Sequence, residues 1–254
     1  MNDSTTRFSS RVDNYVKYRP GYPAEVIDVL KKECGLTRDS IIADIGSGTG
    51  ILTELLLKNG NRVFGIEPNK DMRDAGERLL KNYSHFTSVN ATAEATTLPD
   101  HSVDLITAGQ AFHWFDRDKC RDEFKRILKP GGWIALIWNE RRVDSTPFLR
   151  AYETLLHTYG TDYEKIDHRQ ITPEVIQEFF RENKIKRMSL ENKQIFDFDG
   201  LRGRLLSSSY VPEQGHPRYE PMLRAAEELF DTYKTNGKVS FDYDTNIYVG
   251  HLYE

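Results

Sequence analysis

Short apolar runs alternate with longer amphipathic segments between Ser40 and Trp138. Five runs are apolar over most of their length, as is typical of strands buried on both faces of a sheet. They are Ile41–Ile45, Arg62–Ile66, His85–Val89, Val103–Ala108 and Trp133–Trp138. Helical spacing is found in Ile51–Asn59, Lys70–Asn82 and Arg117–Leu128. This alternation predicts a doubly wound α/β fold, with helices on both faces of a parallel sheet.

The pattern changes on both sides of this central part. A helix is predicted around Ala24–Glu33, and helical spacing returns over Asp144–Asn183. The later elements are a strand at Gln194–Phe198, a helix at Arg218–Lys234 and an alternating run at Lys238–Gly250. Strict alternation over that last run predicts a strand near the sheet edge.

The stretch "DIGSGTG" follows the first predicted strand and precedes the first helix. Gly46, Gly48 and Gly50 can adopt positive φ and let the backbone approach a ligand, and loops at this end of a parallel sheet bind ligands. Glu67 ends the second predicted strand, about 20 residues after the glycines, the spacing of a carboxylate that binds an adenosine ribose. A tight turn without a ligand is the structural alternative.

Three features separate the candidate cofactors NAD, FAD and S-adenosylmethionine. The glycine spacing is G-x-G-x-G, whereas the dinucleotide fingerprint is G-x-G-x-x-G. Asp44 stands at the entrance of the loop, where its charge repels a pyrophosphate but attracts the ammonium group of a methionine moiety. No lysine follows the glycines, so a P-loop is not indicated. The pattern favours S-adenosylmethionine.

Composition and charge restrict the partners. The formal net charge of −4 provides no basic surface for nucleic acid, and no apolar run approaches the roughly 20 residues of a membrane helix. The N-terminal residues lack the apolar region of a signal peptide. Cys34 and Cys120 are far apart and predict free thiols. We therefore expect a cytoplasmic protein without a metal site, a nucleic-acid partner or a membrane partner.

Several ordered motifs resemble those of class I S-adenosylmethionine-dependent methyltransferases. They are "IADIGSGTG", "GIEPN", "AEATTLP", "VDLITAGQAFHWF" and "LKPGGWIALIWNERR", together with "YRPGYP", "SSSYVP" and a final "YVG". The resemblance covers nearly the whole chain and is greatest to the small-molecule branch called type 11 or trans-aconitate-methyltransferase-like. It implies a Rossmann-like, seven-stranded sheet whose last strand is antiparallel, with a helical N-terminal lid and a helical insertion after strand five.

The resemblance also implies the organisation of the chain. Residues 1–254 form one methyltransferase domain in four parts. These are a lid segment and helix (1–39), a cofactor-binding core (40–142), a helical insertion or cap (143–190), and a C-terminal part that completes the sheet and carries substrate-side loops (191–254).

By the same resemblance, the cofactor-binding residues come from five places along the chain. They are Tyr15, Arg19, Asp44, Gly46, Ser47, Gly48, Gly50, Glu67, Pro68, Ala93, Glu94, Gln110, Ala111 and Phe112. Asn69 follows Pro68 towards the adenine wall. Thr92 stands where the family often has an aspartate, which removes the expected contact with the adenine amino group.

The residues next to the methyl acceptor have alternative roles. His113 is the candidate general base, because histidine titrates near neutrality, with orientation of the acceptor as its alternative role. The candidate substrate residues are Tyr18, Trp114, Arg141, Tyr210 and His216. Aromatic rings can stabilise a sulfonium cation but are also common in cores. Guanidinium groups can hold a carboxylate but also form surface pairs, and both roles stay open for Arg142.

The sequence therefore predicts methyl transfer from S-adenosylmethionine to a small molecule, for which a carboxylic acid is a candidate. Nucleic-acid methylation is disfavoured, because the segment after strand four lacks an Asn/Asp-Pro-Pro-aromatic motif. Protein methylation and S-adenosylmethionine binding without turnover stay open. The oligomeric state is not indicated.

Overall fold

A computed structural model of the protein describes residues 12–161, 163 and 172–252, apart from the side chains of Val12, Asp13 and Tyr15. The strands are β1 (Ile41–Ile45), β2 (Arg62–Ile66), β3 (Phe86–Val89), β4 (Val103–Gly109), β5 (Leu128–Arg141), β6 (Lys186–Phe196) and β7 (Val239–Gly250). The helices are α1 (Val12–Tyr18), α2 (Glu25–Cys34), α3 (Ile51–Lys58), α4 (Lys70–Leu80), α5 (Arg117–Ile127), α6 (Pro147–Tyr159), α7 (Pro173–Phe180), α8 (Phe198–Leu206) and α9 (Tyr219–Tyr233).

The seven strands form one sheet in the order β3-β2-β1-β4-β5-β7-β6. Strands β1 to β5 are parallel to their neighbours, and β7 is antiparallel to both β5 and β6. The predicted seven-stranded sheet with an antiparallel last strand is confirmed. The strand order reverses between β1 and β4, so a crevice opens at the carboxyl ends of these two strands.

Both faces of the sheet are covered, as the continuous apolar runs predict. Along β1, Ile42 packs against α2 and α3 on one face, whereas Ala43 and Ile45 pack against α5 and α7 on the other. Successive side chains of a strand point to opposite faces, so a strand with helices on both sides is apolar over most of its length. This burial makes β1 a fixed support for the glycine loop at its end.

A second layer of helices lies beside the antiparallel part of the sheet. Helices α6, α8 and α9 enclose their own apolar cluster against the inward side chains of β7, including Phe241 and Tyr243. Helix α1 packs on this layer through the Tyr18 ring, which is in contact with the Cα position of Gly203 in α8. No helix in the described ranges is long and apolar enough to cross a membrane.

Two predictions about the C-terminal half are wrong. Strand β6 begins at Lys186 rather than at Gln194, so it starts inside the range predicted as a helical insertion. The sequence also gave no indication of helix α8, because it contains Gly200 and Gly203, and glycine disfavours helices. The division of the chain into four parts stays a prediction.

Asn139 connects the N-terminal segment to the sheet. Its Nδ2 donates to the carbonyl of Gly21 (3.1 Å), and its Oδ1 accepts from Thr245 Oγ1 (2.6 Å) and from Asn192 Nδ2 (3.0 Å). Asn192 Nδ2 donates to the same Gly21 carbonyl (2.8 Å). The backbone amide of Asn139 donates to the side chain of Gln110, at the end of β4. The buried side chain of Asn139 therefore ties the N-terminal segment to β6 and β7, and its backbone amide adds a link to Gln110.

We predict that Asn139→Ala lowers the free energy of unfolding by about 1–3 kcal/mol, because buried hydrogen-bond partners are left unsatisfied. For a chain of this size that corresponds to a loss of about 2–4 °C in Tm for each kcal/mol. Thermal unfolding followed by circular dichroism measures the change. Asn82→Ala, at an exposed position after α4, is the control and should leave Tm nearly unchanged. Equal Tm values for the two variants would contradict a structural role for Asn139.

Candidate active site in the crevice between β1 and β4

A cavity opens at the carboxyl ends of β1, β2 and β4. Its walls come from the N-terminal segment, the loops that follow these strands and the segment after α8. The lining residues are Arg19, Pro20, Tyr22, Asp44, Gly46, Ser47, Gly48, Thr49, Ile51, Leu52, Glu67, Pro68, Asn69, Met72, Thr92, Ala93, Glu94, Gly109, Gln110, Ala111, His113, Trp114, Phe115 and Ser209. Most of the predicted cofactor-binding residues are therefore brought together in one place.

The glycine loop lies against the wall formed by the residues after β4. Gly46 has φ 67°, and a Cβ atom there would lie 2.5 Å from the Cβ of Ala111. The amides of Gly46 and Ser47 both donate to the carbonyl of Ile66 (2.8 and 3.1 Å), which ties the loop to the end of β2. Glycine is required at position 46 because any side chain would collide with this wall.

Gly50 has a different role from the one predicted for it. It does not line the cavity; it precedes α3 with φ 88°, and a Cβ atom would lie 2.6 Å from Leu80 Cδ1. The glycine therefore permits the close packing of α3 against α4. The prediction that Gly50 contacts the ligand is wrong, because glycine spacing alone does not distinguish approach to a ligand from approach to a helix.

Glu67 joins the two loops that carry the cavity floor. Its Oε2 accepts from the amide of Gly48 (2.9 Å) and its Oε1 accepts from the amide of Asn69 (2.8 Å). The side chain is buried, with 8% of its residue surface exposed, and this burial raises the pKa of the carboxyl group, although the two amides counteract the shift. Each carboxylate oxygen keeps a further lone pair, so Glu67 can also accept from two neighbouring hydroxyl groups of a ligand.

Asp44 is a buried carboxyl group on the cavity wall. Its Oδ2 accepts from Thr53 Oγ1 (2.6 Å) and its Oδ1 accepts from Thr107 Oγ1 (2.9 Å), while only 1% of the residue is exposed. Burial raises the pKa of Asp44 to about 6, against the opposing effect of the two threonine hydroxyls. A positively charged ligand group in the cavity would favour the ionised form.

Thr92, Ala93 and Glu94 form the wall beyond β3. Burial by itself would raise the pKa of Glu94, but several hydrogen bonds, the strongest from the Asp116 amide (3.0 Å), bring the pKa below its ordinary value. Glu94 is therefore an anion whose position is set by the start of α5. Thr92 lines the cavity as well, so a hydroxyl group occupies the place where the resemblance implies a carboxylate.

The residues after β4 divide between the cavity and the core. Gln110 lines the cavity with φ 55°, an uncommon conformation for a residue other than glycine. Ala111 lies directly against the glycine loop. Phe112 was predicted to form the cavity floor, and this is wrong: it is fully buried, and its ring packs edge-on against Phe179 with centroids 4.8 Å apart. Phe115 lines the cavity instead.

His113 and Trp114 follow in a single 3-10 turn (Phe112–Trp114) and both line the cavity. Their rings lie 4.7 Å apart at an angle of 44°. The turn is short because it connects β4 to α5 over the open end of the crevice, and this places an imidazole and an indole beside the space left for a ligand.

The N-terminal segment closes one side of the cavity with Arg19, Pro20 and Tyr22. Tyr22 packs over Gly109, where a Cβ atom would lie 2.6 Å from the tyrosine hydroxyl. Tyr18 was predicted to contact substrate but packs against α8 and the ring of Phe196 (6.4 Å between centroids), because the last turn of α1 faces the helical layer. The side chain of Tyr15 lies outside the described residues.

Three other predicted substrate residues do not line the cavity. Arg141 forms a buried ion pair with Glu153 and lies over the ring of Tyr152 (5.2 Å). Tyr210 is buried in the helical layer, one residue beyond Ser209. His216 is exposed, and its Nδ1 accepts from the amide of a neighbouring residue in its own loop. These predictions of direct contact are wrong, because chain position near a strand end does not determine which way a side chain packs.

Arg142 forms ion pairs near the surface, which is the alternative to holding a carboxylate. It donates to Asp244 (2.7 Å) and to Glu191 (3.2 Å) across the edge of the sheet. Several cavity residues are not among the predicted ones; Thr49, Tyr22, Met72, Phe115 and Ser209 are examples. Thr49 and Met72 adjoin recognised motifs and could have been included on that basis.

Two buried polar atoms indicate that the cavity takes a polar ligand. Asn69 Nδ2 and Thr49 Oγ1 make no hydrogen bond with any described residue, although both residues are almost fully buried on the cavity wall. Such groups normally have a partner. An adenosyl group with its ribose and an amino-acid tail would provide donors and acceptors at these positions, and the glycine loop leaves room for it. The residues therefore fit S-adenosylmethionine. The described residues contain no group of three or more metal-ligating side chains.

Comparison with known proteins agrees with this geometry. A family model described as "Methyltransferase domain" matches residues 43–136, from β1 to β5. The uncharacterized methyltransferase Mb3374 of Mycobacterium bovis is 36% identical over 139 residues, which cover 55% of this chain and 54% of that protein. The chain thus spans about half the length of the curated relatives that it matches.

Solved structures share the fold. A protein of Anaeromyxobacter dehalogenans described as a type II methyltransferase superposes with a TM-score of 0.67 at 23% identity, over 92% of this chain and 98% of the other. Phosphoethanolamine N-methyltransferase 2 of Haemonchus contortus, solved in complex with S-adenosyl-L-methionine, superposes with a TM-score of 0.57 at 15% identity, over 98% of this chain and 58% of the other. Residues 43–136 thus match the methyltransferase domain, and the sheet has the fold of these methyltransferase structures, which supports a class I S-adenosylmethionine-dependent methyltransferase.

Proposed function

We propose that this protein transfers a methyl group from S-adenosylmethionine to a small molecule, with a carboxylic acid as the candidate acceptor. The observation that carries the proposal is the convergence of Glu67, Asp44 and the glycine loop on one cavity whose wall also holds two buried polar groups without a described partner. Methyl transfer needs a positioned donor and a dry reaction space more than it needs a chemically active protein group.

Glu67 and Asp44 would hold the two ends of the donor. The Glu67 carboxylate faces the cavity after bonding two amides, so its remaining lone pairs can accept from both ribose hydroxyls. Asp44 would attract the ammonium group of the methionine end, because it is the buried acid at the entrance of the glycine loop. When bound, the donor supplies a methyl group made electrophilic by its positive sulfur.

Aromatic walls would exclude water from the reacting atoms. Tyr22, Trp114 and Phe115 line the cavity from two directions, and such rings also stabilise a nearby cation. His113, in the same turn, is the side chain available to take a proton from a neutral acceptor or to orient an ionised one. Arg19 lines the wall formed by the N-terminal segment, where its guanidinium group can attract an acidic acceptor.

The other functions have less support. The net charge of −4 is unfavourable for a nucleic-acid substrate, and both the N-terminal segment and the segment after α8 contribute residues to the cavity wall. Protein methylation and binding without turnover are tested by the same experiment.

The test is a transfer assay with S-adenosylmethionine carrying a tritium-labelled methyl group, in an extract that contains metabolites, protein and nucleic acid. We expect label in a small acidic product.

Glu67→Ala should weaken donor binding about 10- to 100-fold, because it removes charge-assisted hydrogen bonds to the ribose and releases the Gly48 amide. Calorimetry measures the affinity, and Glu25→Ala on α2 is the control. Label in nucleic acid or protein alone, or donor binding without transfer, would overturn the proposed acceptor.

Donor binding should weaken at acid pH. Burial raises the pKa of Asp44 to about 6, so this carboxyl group is neutral below that pH in the free folded protein. The neutral group contributes to the stability of the fold, and this contribution is lost as the pH rises through about 6. A cationic donor requires the ionised form, so its affinity should fall about tenfold between about pH 7 and about pH 5. Calorimetry across this range measures it. Asp44→Asn should bind weakly with a smaller pH dependence, and a constant affinity in the wild-type protein would contradict the role of Asp44.

His113→Ala should slow turnover while donor affinity stays nearly unchanged, because the imidazole is on the acceptor side of the cavity. A general base contributes about 10²- to 10⁴-fold to a rate, so a loss of that size with a neutral acceptor indicates proton transfer. Single-turnover rates and donor calorimetry separate the two effects. An unaltered rate would remove His113 from the reaction.

A further inference from the structure

Behind the Arg19 side of the cavity, the helical layer buries a group of positive charges. Arg204, on α8, is 4% exposed. It donates to two neutral hydroxyl groups, Tyr243 Oη (3.3 Å) and Ser208 Oγ (3.1 Å), and it forms no ion pair with a carboxylate in the described ranges. A buried cation without a counter-charge is costly, so an arginine at such a position needs a reason.

Arg141 adds a second charge to the same region. Glu153 pairs with its Nη2, while its Nη1 is buried and makes no hydrogen bond with the described residues. The hydroxyl of Tyr152, which lies beneath this guanidinium group, is also buried and without a hydrogen-bond partner in the described part of the chain. A donor-rich, positively charged region with unused donors is what an anion-binding site requires.

The third charge connects this region to the cavity. Arg19 lines the cavity wall, and its Nη2 donates to the carbonyl of Ser207 (2.9 Å), in the segment that begins directly after α8. Ser209, two residues further on, lines the same cavity. Arg204 donates to Ser208, the residue between Ser207 and Ser209. The charge of Arg204 therefore lies immediately behind the wall that an acceptor would touch.

Tyr210 reports the combined field of the three arginines. Burial by itself would raise the pKa of its hydroxyl group. The guanidinium groups, with Arg204 the strongest of them, instead hold the pKa below its ordinary value. All three guanidinium groups thus act on the hydroxyl of Tyr210, although they come from separate parts of the chain.

We propose that the wall formed by Arg19 and Ser209 is an oxyanion subsite for the methyl acceptor, and that Arg204 and Arg141 behind it determine the preference for a negatively charged acceptor. The subsite rests on the proposed function, since it describes the acceptor half of the same cavity. A carboxylate matches it best, because the planar guanidinium groups suit a planar anion. Arg204 acts through charge on this wall and is a specificity-determining residue rather than a catalytic one.

The test uses the full chain loaded with S-adenosylhomocysteine and titrated with succinate, with its neutral diamide succinamide and with inorganic phosphate. We expect succinate to bind at least about tenfold more tightly than succinamide, and more tightly than phosphate. Arg204→Met, which keeps the length of the side chain, should remove most of the difference between the acid and the amide. Arg204→Lys should keep part of it, because the charge remains.

Arg202→Met is the matched control, since Arg202 is exposed on the same helix. Affinity for S-adenosylmethionine and Tm are measured for every variant; if Arg204→Met does not fold, Arg19→Gln is used in its place. Equal binding of succinate and succinamide to the wild-type protein, or equal effects of the two methionine substitutions, would overturn the subsite. Tighter binding of phosphate would overturn its assignment to a carboxylate. Absence of S-adenosylmethionine binding would instead contradict the proposed function.

Discussion

The cavity depends on one carboxylate that accepts hydrogen bonds from two loops. Glu67 receives the amide of Gly48 from the loop after β1 and the amide of Asn69 from the start of α4. Besides this bridge, the loop after β1 and α4 are held together by packing, as between Gly50 and Leu80. A carboxylate can perform this task only if it is buried and fixed, and its burial is compensated by the amides and by the donors of a ligand. Local structure and ligand binding are thus parts of the same interaction.

Charge is distributed unequally around the cavity. Asp44 and Glu67 lie at the ends of the central strands, where a donor with a positive sulfur and an ammonium group would be attracted. Arg19 lies on the wall formed by the N-terminal segment, and Arg204 in the helical layer donates to Ser208, next to Ser209 of the same cavity. Opposite charges on two sides of a dry cavity interact strongly with a ligand because little water screens them. If the donor occupies the acidic side, the basic side is left for an acceptor of opposite sign, and this arrangement would orient both.

The central strands could be predicted from the sequence because burial on both faces leaves a continuous apolar signal. Strands β1 and β2 begin and end at the predicted residues. Edge strand β6 was placed too late, because it alternates half-buried with exposed residues and its first half carries the polar residues of an exposed face. Helix α8 was missed because it contains Gly203, which disfavours a helix. The glycine is needed there because the ring of Tyr18 in α1 packs against it, and the local sequence does not show this contact.

The site was predictable where a residue's role follows from its backbone position. Gly46, Asp44 and Glu67 stand at strand ends, so the fold alone brings them to the cavity. Phe112 and Phe115 show the opposite case: both follow β4, and only the course of a 3-10 turn decides which ring enters the core.

The arginines depend on competition between partners, which no single segment of sequence contains. Arg142 is paired with Asp244 and Arg141 with Glu153, in both cases a partner from another element. Arg204 reaches no carboxylate in the described chain, although it is the most deeply buried of the three. Apolar replacement of buried ions is often neutral or stabilising, so packing alone does not explain an arginine at this position. The charge of Arg204 is then the property to be explained. Arg204 donates to Ser208, and the next residue, Ser209, lines the cavity, so the charge can act on a ligand there.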